Sequence, residues 1–410
     1  MSKLQELIDR LCPDGVEFKP LGEVCEIKRG ERVTKNQVNN IGSYPVISGG
    51  VTPMGYLEKF NREANTITVA QYGTAGFVNW QDKRFWANDI CYSLFPADVL
   101  DNRFLYYFLK NSSPIIDKLV NRDAVPFHLP QNNISNISIP IPPLEVQDEI
   151  VKILDRFADY AAELQAELQA RRLQYEYYRN LLLTFNPSAY GCGTDDAQKI
   201  SVIARGGHSY EIQWKTMGEI FEMRNGYTPS KNKPEFWENG TIPWFRMEDI
   251  RENGRILADS IQHITPASIK GKGLFEANTF ILATTATIGE HALLIADSLA
   301  NQQFTNLKVR KSLANLLDTK FIFYYMFIVD EFCKNNTNVS GFASVDMGKL
   351  KQMPFPIPPL ELQEKIVAIL DRFETLVNDL SKGLPAEIEA VKARYEYYRN
   401  KLLTFNPLSA

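Results

Sequence analysis

The sequence predicts an α/β (α+β) fold that occurs twice, each copy being followed by a long helix. Three observations lead to this expectation: a long internal repeat, a heptad pattern of apolar residues in both copies, and shorter matched motifs between them. The two helices are expected to pack as an antiparallel coiled coil with pseudo-twofold symmetry. The expected order is head, helix, head, helix, at 1–143, 144–187, 188–359 and 360–410.

The internal repeat is the strongest of these signals. IPIPPLEVQDEIVKILDRF begins at Ile139, and FPIPPLELQEKIVAILDRF begins at Phe355. Downstream, YEYYRNLLLTFNP begins at Tyr175 and YEYYRNKLLTFNP begins at Tyr395. Identity over such lengths cannot come from composition, so it indicates a duplication.

The two heads are also related, but more loosely. FKPLGEVCEIKRG (Phe18–Gly30) aligns with WKTMGEIFEMRNG (Trp214–Gly226). Three further pairs follow in the same order: GTAG at Gly73 with ATIG at Ala286, ANDICYSLF at Ala87 with ANQQFTNLK at Ala300, and FLYYFL at Phe104 with FIFYYM at Phe321. Shared machinery requires the same residues, whereas reading two targets requires different ones. The contrast between copied helices and diverged heads therefore indicates two related recognition surfaces on common machinery.

Each helix carries a narrow apolar seam. Pro142 and Pro143 end the preceding strand, and a helix from Leu144 to Phe185 would be about 60 Å long at roughly 1.5 Å per residue. Apolar residues then alternate at spacings of four and three, interrupted by Arg171: Ile150, Leu154, Phe157, Ala161, Leu164, Leu168, Tyr175, Tyr178, Leu182. The second copy repeats the pattern with an inserted step of four, a stutter, at Ile366, Leu370, Phe373, Val377, Leu380, Leu384, Ile388, Val391, Tyr395, Tyr398, Leu402. Gly383 and Pro385 lie at the stutter, where a break is expected.

A seam on so long a helix must be covered. Mutual antiparallel packing would place the heads at opposite ends, and the alternative is that each helix folds back on its own head. The first helix also contains the tandem ELQAELQA (Glu163–Ala170). It is either a run of good helix formers or an adjuster of helix length.

Composition excludes several classes of protein. The apolar fraction of 44% and the aromatic fraction of 11% suit a globular chain, and the longest apolar run, Phe321–Val329, is far too short to span a membrane. The first residues predict an amphipathic helix with Leu4, Leu7, Ile8 and Leu11 on one face, not a signal peptide. A cytoplasmic location is expected. The net charge of -4 argues against a general nucleic-acid binder, unless positive charge is concentrated on one face or supplied by partners.

The chain offers few residues for chemistry of its own. There is no GxxxxGK[ST] phosphate loop, no [NDS]PP[FYW] tetrapeptide and no HExxH motif. Glu248 and Asp249 lie beside Arg246 and Arg251 and suggest surface charge. The cysteines are scattered, so ordinary buried or semi-buried thiols are expected: Cys12, Cys25, Cys91, Cys192, Cys333. The histidines are widely spaced and are expected to be structural: His128, His208, His263, His291.

These motifs together resemble the specificity subunit of a Type I restriction-modification enzyme. The resemblance is carried by the duplicated head and helix, by PIPPLE-Q--I---LD at each helix start, by the -YYRN-LLTF ending, and by NGYTPSKNKPEFWENGTIPWFRMEDI and ATTATIGE in the second head. The ELQA tandem is similar to short spacer repeats of some members. The first head departs more, because GSYPVISGG and QYGTAG stand where the second has GTIPWFRM and TTATIG.

The resemblance implies a subunit without catalytic residues and without a cofactor of its own. Two target-recognition domains would each read one half of a bipartite, asymmetric site in double-stranded DNA. The helices would set the spacing and dock two methyltransferase subunits, which hold S-adenosylmethionine and methylate adenine N6. Two restriction subunits, using ATP and Mg, would complete a translocating nuclease.

DNA contacts are expected at loops that follow strands. Phosphate contacts need cationic or small polar side chains, and base contacts need Arg, Asn, Gln, Ser or Thr. The candidates in the first head are Lys28, Arg29, Arg32, Lys35, Gln71, Tyr72, Thr74, Asn121 and Arg122. Those in the second head are Arg224, Tyr227, Ser230, Lys231, Lys233, Arg246, Lys270, Lys272, Thr284, Thr285, Gln302 and Gln303. For each of them, a solvated surface residue is the alternative.

Two other functions stay open at this point. A single-chain nuclease or methyltransferase would need the motifs that the chain lacks. A coiled-coil adaptor that binds only protein would not shift DNA even with its partners.

Overall fold

A computed structural model was used to describe the fold. It describes residues 3–123, 125–185, 210, 212–271, 273–338, 343–378 and 382–408.

The chain divides into two compact units. Unit 1 comprises Met1–Ala166 and Ala386–Ala410, and unit 2 comprises Glu167–Pro385. The domain boundaries predicted above follow the order of the chain, whereas the contacts group each head with parts of both long helical segments.

The described residues of the head of unit 1 form three small sheets. A four-stranded antiparallel sheet has the order β2-β8-β5-β6, a three-stranded sheet has the order β4-β3-β7, and β1 pairs with β9. The strands are β1 Glu17–Pro20, β2 Cys25–Arg29, β3 Tyr44–Ile47, β4 Tyr56–Leu57, β5 Thr66–Ala70, β6 Val78–Gln81, β7 Trp86–Ala87, β8 Cys91–Pro96 and β9 Ser138–Ile141. The helices are α1 Lys3–Leu11, α2 Leu21–Val24, α3 Asn102–Asn111, α4 Ser113–Leu119, α5 Gln131–Ser135 and α6 Leu144–Leu183, with a 3-10 turn at Lys35–Gln37.

The head of unit 2 repeats this plan with additions. Its main sheet has the order β11-β18-β15-β16-β13, its three-stranded sheet β14-β12-β17, and β10 pairs with β21 and β19 with β20. The strands are β10 Gln213–Thr216, β11 Phe221–Asn225, β12 Ile242–Phe245, β13 Ile256–Leu257, β14 His263–Ile264, β15 Thr279–Ala283, β16 His291–Leu294, β17 Leu299–Ala300, β18 Phe304–Val309, β19 Thr337–Asn338, β20 Ser344–Val345 and β21 Pro354–Ile357. The helices are α7 Met217–Ile220, α8 Met247–Asn253, α9 Thr319–Asn335, α10 Met347–Gln352, α11 Leu360–Asn378 and α12 Gly383–Leu402, with 3-10 turns at Pro234–Phe236, Pro266–Ser268 and Lys311–Leu313.

The strand register confirms that the looser motifs are equivalent. Phe18 pairs with Pro140 between β1 and β9, and Trp214 pairs with Pro356 between β10 and β21. The last glycine of GTAG and that of ATIG both have positive φ, +85° at Gly76 and +76° at Gly289. The mixed α/β class predicted from the sequence is confirmed.

In each head an aspartate caps the N-terminus of a helix that packs on the main sheet. The Asp101 carboxylate accepts a hydrogen bond from the Phe104 amide, 2.8 Å, at the start of α3. Asp318 does the same for Phe321 at the start of α9, also 2.8 Å. Such N-caps satisfy amides that have no partner within the helix. The helices expected near Phe104 and Phe321 are therefore confirmed.

Burial confirms two further expectations, the N-terminal helix and the buried thiols. Helix α1 forms, with Leu4 and Leu7 buried in the core of unit 1. Four of the five cysteines are buried free thiols: Cys12, Cys25, Cys91, Cys333. Cys192 lies outside the described residues. Burial raises the pKa of the Cys25, Cys91 and Cys333 thiols to about 12. None of the described helices is long and apolar enough to cross a membrane.

The long helix α6 has the expected length and seam. It runs for 40 residues, about 60 Å at roughly 1.5 Å per residue. Its seam residues Ile150, Leu154, Leu164 and Leu168 are buried, whereas neighbouring Glu163 and Glu167 are exposed. The second copy is interrupted as predicted: α11 ends at Asn378, and α12 begins at Gly383, whose φ is +74°. Leu380 lies outside the described residues.

The helices pair in the antiparallel sense within unit 1. Tyr160 of α6 donates a hydrogen bond to Glu387 near the start of α12, 2.7 Å. Phe157, earlier in α6, stacks on Tyr398 near the end of α12, with 5.6 Å between ring centroids. Unit 2 contains the same aromatic pair with the copies exchanged, because Phe373 of α11 stacks on Tyr178 of α6 at 5.8 Å.

Each long helix also packs on the head that precedes it. The Asp155 carboxylate of α6 accepts hydrogen bonds from Arg103, 2.9 Å, and from Tyr107. In unit 2, Asp371 of α11 is held by the matching residues of α9, Lys320 at 2.6 Å and Tyr324 at 2.7 Å. Mutual pairing and packing on the preceding head, treated above as alternatives, thus occur together, at residues two positions apart in each helix.

Candidate nucleic-acid interface

The loop after β2 in the first head is fixed at its glycine. A Cβ added to Gly30 would stand 2.1 Å from the Ala87 carbonyl oxygen, so only glycine fits. The next residue, Glu31, donates its amide to that oxygen at 2.8 Å. The Glu31 carbonyl accepts the indole N–H of Trp86, also at 2.8 Å. The backbone of the loop is therefore held at both the N–H and the carbonyl of Glu31.

A second anchor follows two residues later. The Val33 amide donates to the Asn88 side-chain oxygen at 2.9 Å, and the Val33 side chain packs with Val46 and Trp86. Arg32 lies between these two anchors, and 78% of its side chain is exposed. Its nearest acidic partner is Asp89, 4.0 Å away. The loop therefore presents this guanidinium to solvent from a fixed backbone.

The other basic candidates of this loop differ in their surroundings. Lys28 is exposed on β2 and pairs with Glu26 at 2.8 Å. Arg29 is exposed at the end of β2, with its guanidinium 5.8 Å from the ring centroid of Tyr92. Lys35 is exposed in the 3-10 turn. All three are cations near the same loop, but Lys28 already has an acidic neighbour.

Gln71, Tyr72 and Thr74 occupy the turn after β5. Gln71 is only 3% exposed, because its backbone lies between Ile90 and Leu129. The Tyr72 ring stacks on the His128 ring, with 5.5 Å between centroids. Thr74 is exposed, and its hydroxyl donates to the Gly49 carbonyl at 2.9 Å. The turn thus has one buried candidate, Gln71, and one exposed candidate, Thr74.

Asn121 pairs with His128, which in turn pairs with Tyr72 of this turn, and Arg122 follows Asn121. The Asn121 amide donates to the His128 carbonyl at 2.7 Å. The Arg122 guanidinium pairs with Asp117 at 2.6 Å. Thr74, Asp117 and Arg122 line the same open cavity of about 400 Å³. The fold thus brings together candidates that are far apart in the sequence.

The equivalent loop of the second head is held in the same way. A Cβ on Gly226 would stand 2.3 Å from the Ala300 carbonyl oxygen. The Tyr227 amide donates to that oxygen at 2.9 Å, and the Tyr227 carbonyl accepts the indole N–H of Trp244 at 3.0 Å. Exposed Gln302 approaches the loop and accepts the Thr228 hydroxyl at 2.5 Å. Glu31 and Tyr227, which follow the equivalent glycines, are therefore held alike.

The basic end of this loop is exposed. Ser230, Lys231 and Lys233 are exposed, and the Ser230 carbonyl accepts the Trp237 indole N–H at 3.0 Å. Lys270 joins them because its amide donates to the Tyr227 hydroxyl at 2.8 Å. Lys272 lies outside the described residues.

Arg246 is a partly buried cation of the second head. Its side chain is 29% exposed, and its guanidinium lies 5.9 Å from the ring centroid of Trp244. Glu248 approaches it only to 3.9 Å. Asp249, expected above to be surface charge, is fully buried instead. That expectation was wrong, because the carboxylate accepts the amides of Arg246 and Ile261, both at 2.7 Å.

Four candidates of the second head have internal contacts. The Arg224 guanidinium donates to the Leu274 carbonyl at 2.7 Å, and desolvation by burial lowers its pKa. Thr284 is 7% exposed, and its hydroxyl forms a hydrogen bond with the Thr305 hydroxyl at 3.0 Å. The Gln303 side chain accepts from Asn301 at 3.2 Å. Thr285 is half-buried and bridges to Ser344.

The model of one protein family matches both halves of the chain. The Type I restriction modification DNA specificity domain matches residues 13–171 and 211–390. The chain belongs to this family. It is a specificity subunit of a type I restriction-modification system, which recognises DNA and is not itself the catalyst.

Two curated relatives illustrate the likeness. The EcoR124I/EcoR124II specificity subunit of Escherichia coli is 32% identical over 435 aligned positions, 99% of this chain and 97% of that one. The EcoprrI specificity subunit of Escherichia coli is 50% identical over 202 residues, which is 48% of this chain and half of that relative.

Solved structures share the fold at low identity. The S subunit from M. genitalium has a TM-score of 0.54 and 19% identity, covering 95% of this chain and 96% of that one. A chain from a structure on the assembly and conformational transition of the type I system has a TM-score of 0.60 and 16% identity, covering 95% and 98%. At such identities the likeness supports the fold alone.

The sequence did not identify three residues that shape the site in this family member. Trp86 and Trp244 hold the loops that follow Gly30 and Gly226, and His128 stacks on Tyr72. Their signal was weak because each acts on a residue distant in the sequence. Elsewhere His291 is fully buried against Asp330 at 2.7 Å, and desolvation lowers its pKa. Among the described residues, no group of three His, Cys, Asp or Glu side chains could hold a metal ion.

Proposed function

We propose that each head of this specificity subunit reads one half of a bipartite, asymmetric site in double-stranded DNA. The recognition loops at Gly30 and Gly226 would contribute contacts of both kinds, with exposed cations on phosphates and residues such as Arg246 on base edges. The half-sites would differ because the loop residues differ between the heads. The proposal places the chain in the cytoplasm, where it meets the DNA of the cell.

One observation carries this proposal: the scaffold of the two loops is the same, and the residues on it are not. Both loops follow a glycine that no residue with a Cβ can replace. In both, the carbonyl of the residue after that glycine accepts a hydrogen bond from a tryptophan indole. Arg32 is exposed in the first loop, whereas Ser230 and Lys231 are exposed in the second. A fixed backbone with variable side chains suits direct readout of different bases.

The long helices would hold the two readings at a set distance and would dock the enzymatic partners. Two methyltransferase subunits would bind the copied segments and transfer a methyl group from S-adenosylmethionine to adenine N6. Restriction subunits with ATP and Mg would join that complex. Near-identical helices support this arrangement, because two copies of one partner need two copies of one surface.

The ELQA tandem would set the gap between the half-sites. Four residues of helix add about 6 Å and a net rotation of about 40°, while one base pair adds about 3.4 Å and 34–36°. Insertion of one further ELQA after Ala170 should widen the gap by one base pair, or by two. An unchanged gap in the methylated sites would refute the ruler.

Sequencing of methylated adenines tests the main proposal. A host that expresses this chain with its methyltransferase partners should show one bipartite methylated sequence, which disappears without the chain. Exchange of residues 188–359 for the second head of a relative with another specificity should replace one half of that sequence and leave the other half unchanged.

The same experiments separate the other functions. A methylation assay on the isolated chain would reveal an enzyme if methyl transfer occurred without partners. A protein-only adaptor predicts no shift of DNA by the complex. If the head exchange altered both half-sites, or neither, the assignment of one head to one half-site would be wrong.

A further inference from the structure

The two loop-holding tryptophans come from different strands of the three-stranded sheets. Trp86 lies on β7, where the second head has Leu299 in the equivalent pairing. Trp244 lies on β12, where the first head has Val46. Both indoles nevertheless donate to the carbonyl that follows the loop glycine. The two heads therefore reach one contact by different residues, which indicates that the contact itself is required.

A cationic side chain also lies over each of these indole rings. The Lys59 ammonium lies 4.6 Å from the ring centroid of Trp86, and the Arg246 guanidinium lies 5.9 Å from that of Trp244. A cation is attracted to the face of an indole ring, which limits the positions it can occupy. Each tryptophan thus joins a recognition loop to a positive charge. Arg246 is already a candidate contact, whereas nothing in the sequence pattern singled out Lys59.

The charge of Lys59 is available to a ligand. Its side chain is exposed, and no ion pair among the described residues includes it. Nearby Arg84 provides the contrast, because its guanidinium lies 4.7 Å from the Phe60 ring centroid but is paired with Glu63 at 2.8 Å. The same kind of contact is therefore neutralised at Arg84 and left open at Lys59.

We propose that Lys59 binds a backbone phosphate of the half-site read by the first head, with Trp86 fixing both the ammonium and the loop. This inference rests on the proposed function, which makes duplex DNA the ligand. An ammonium lacks the planar fork that reads a base edge in two places, so it suits a phosphate. Arg246, which has that fork and lies beside the loop-holding tryptophan of the second head, suits a base edge.

Salt titration of DNA binding tests the role of Lys59. The complex with methyltransferase subunits is titrated against a duplex carrying its methylated site and against a scrambled duplex. Lys59→Gln should reduce the slope of log affinity against log salt by about one, since one phosphate contact is lost. At about 0.1 M salt the affinity should fall roughly eightfold for both duplexes. Lys59→Arg should restore the slope, because the charge is kept.

Arg84→Gln is the matched control. Arg84 is a nearby cation that also lies over an aromatic ring, but its charge is already paired with Glu63. This substitution should leave the slope unchanged. An unchanged slope in Lys59→Gln, or equal losses in the two variants, would overturn the inference. Loss on the cognate duplex alone would also overturn it, by making Lys59 a base contact. A wild-type complex that does not prefer the cognate duplex would instead refute the proposed function.

Discussion

The two heads have the same backbone plan but different side chains, above all where each head packs against the long helices. In unit 2, residues of α6, α9 and α11 surround an open cleft of about 730 Å³. At the matching place in unit 1, Arg103 stacks over Trp80 at 4.7 Å and over Tyr106 at 5.2 Å. The matching residues of unit 2 are Leu293, Phe323 and Lys320. Divergence in the heads therefore reaches their interior, although Arg103 and Lys320 both keep the contact with the carboxylate of the following helix.

The contacts that do not diverge are those of the copied motifs. Gln147 donates to the Val99 and Pro142 carbonyls and accepts the Asp101 amide. Gln363 makes the three matching contacts in unit 2. The LLTF motif that ends each copy makes matching contacts. The ring centroids of Phe405 and Phe104 are 6.3 Å apart in unit 1, and those of Phe185 and Phe321 are 6.2 Å apart in unit 2. These pairs explain why the motif residues are repeated.

The largest expected effect concerns this shared contact. Gln147→Leu and Gln363→Leu each remove three hydrogen bonds to backbone groups, one buried and two partly buried, which should lower the free energy of unfolding by about 3 kcal/mol. Hydrogen exchange of peptides from each head would measure the loss. Gln169→Leu, at an exposed position of α6, is the control. Unequal losses in the two units would contradict their equivalence.

The next effect separates the two loops. Gly30→Ala should displace the loop of the first head, because the new Cβ would meet the Ala87 carbonyl. We expect a cost of about 2 kcal/mol and weaker reading of one half-site only. Gly226→Ala should affect the other half-site. Methylated-adenine sequencing would show which half is relaxed.

Gly50→Ala serves as the control in the first head, since its nearest neighbour would be 3.4 Å away. If Gly30→Ala relaxed both half-sites equally, the heads would not read separately.

A smaller effect depends on pH and should appear in unit 2. Burial lowers the pKa of His291, which faces Asp330, Arg255 and Arg179. The unfolded chain therefore binds a proton more readily, so stability is fully present above the ordinary histidine pKa, about 6.5, and is lost as the pH falls below it. The slope should be at most about 1.4 kcal/mol per pH unit for one proton. The equivalent position in unit 1 is Val78.

Hydrogen exchange of β16 peptides at pH 7 and pH 5.5 would measure this loss, with β6 peptides as the reference. The comparison should be made between the wild type and His291→Asn, because both heads contain other titrating groups. A pH dependence that is unchanged in His291→Asn would contradict the assignment.

The smallest expected effect is at Lys231, an exposed residue of the second loop. Lys231→Gln should reduce the salt slope of DNA binding by about one without changing the methylated sequence. Glu238→Gln, an exposed acidic residue nearby, should not reduce it. A relaxed base position in Lys231→Gln would show that this lysine reads a base.

Much of the candidate site could be located from the sequence, because the loops follow strands and carry glycine and cations. Arg32, Lys231 and Arg246 are at or near the surface as expected. Gln71 and Thr284 are buried, since the turns in which they lie pack against neighbouring strands. No sequence pattern distinguishes a polar residue that faces outward in a turn from one that satisfies a buried backbone.

The sequence by itself determined the duplication, the start of α6, the heptad seam and the break before Gly383. These features depend on residues three to seven positions apart or on direct repetition, so they can be read along the chain. Only the tertiary structure decided that Trp86 and Trp244 hold equivalent carbonyls, and that Asp249 is buried. Those contacts join residues far apart in sequence, and their partners are chosen by packing in three dimensions.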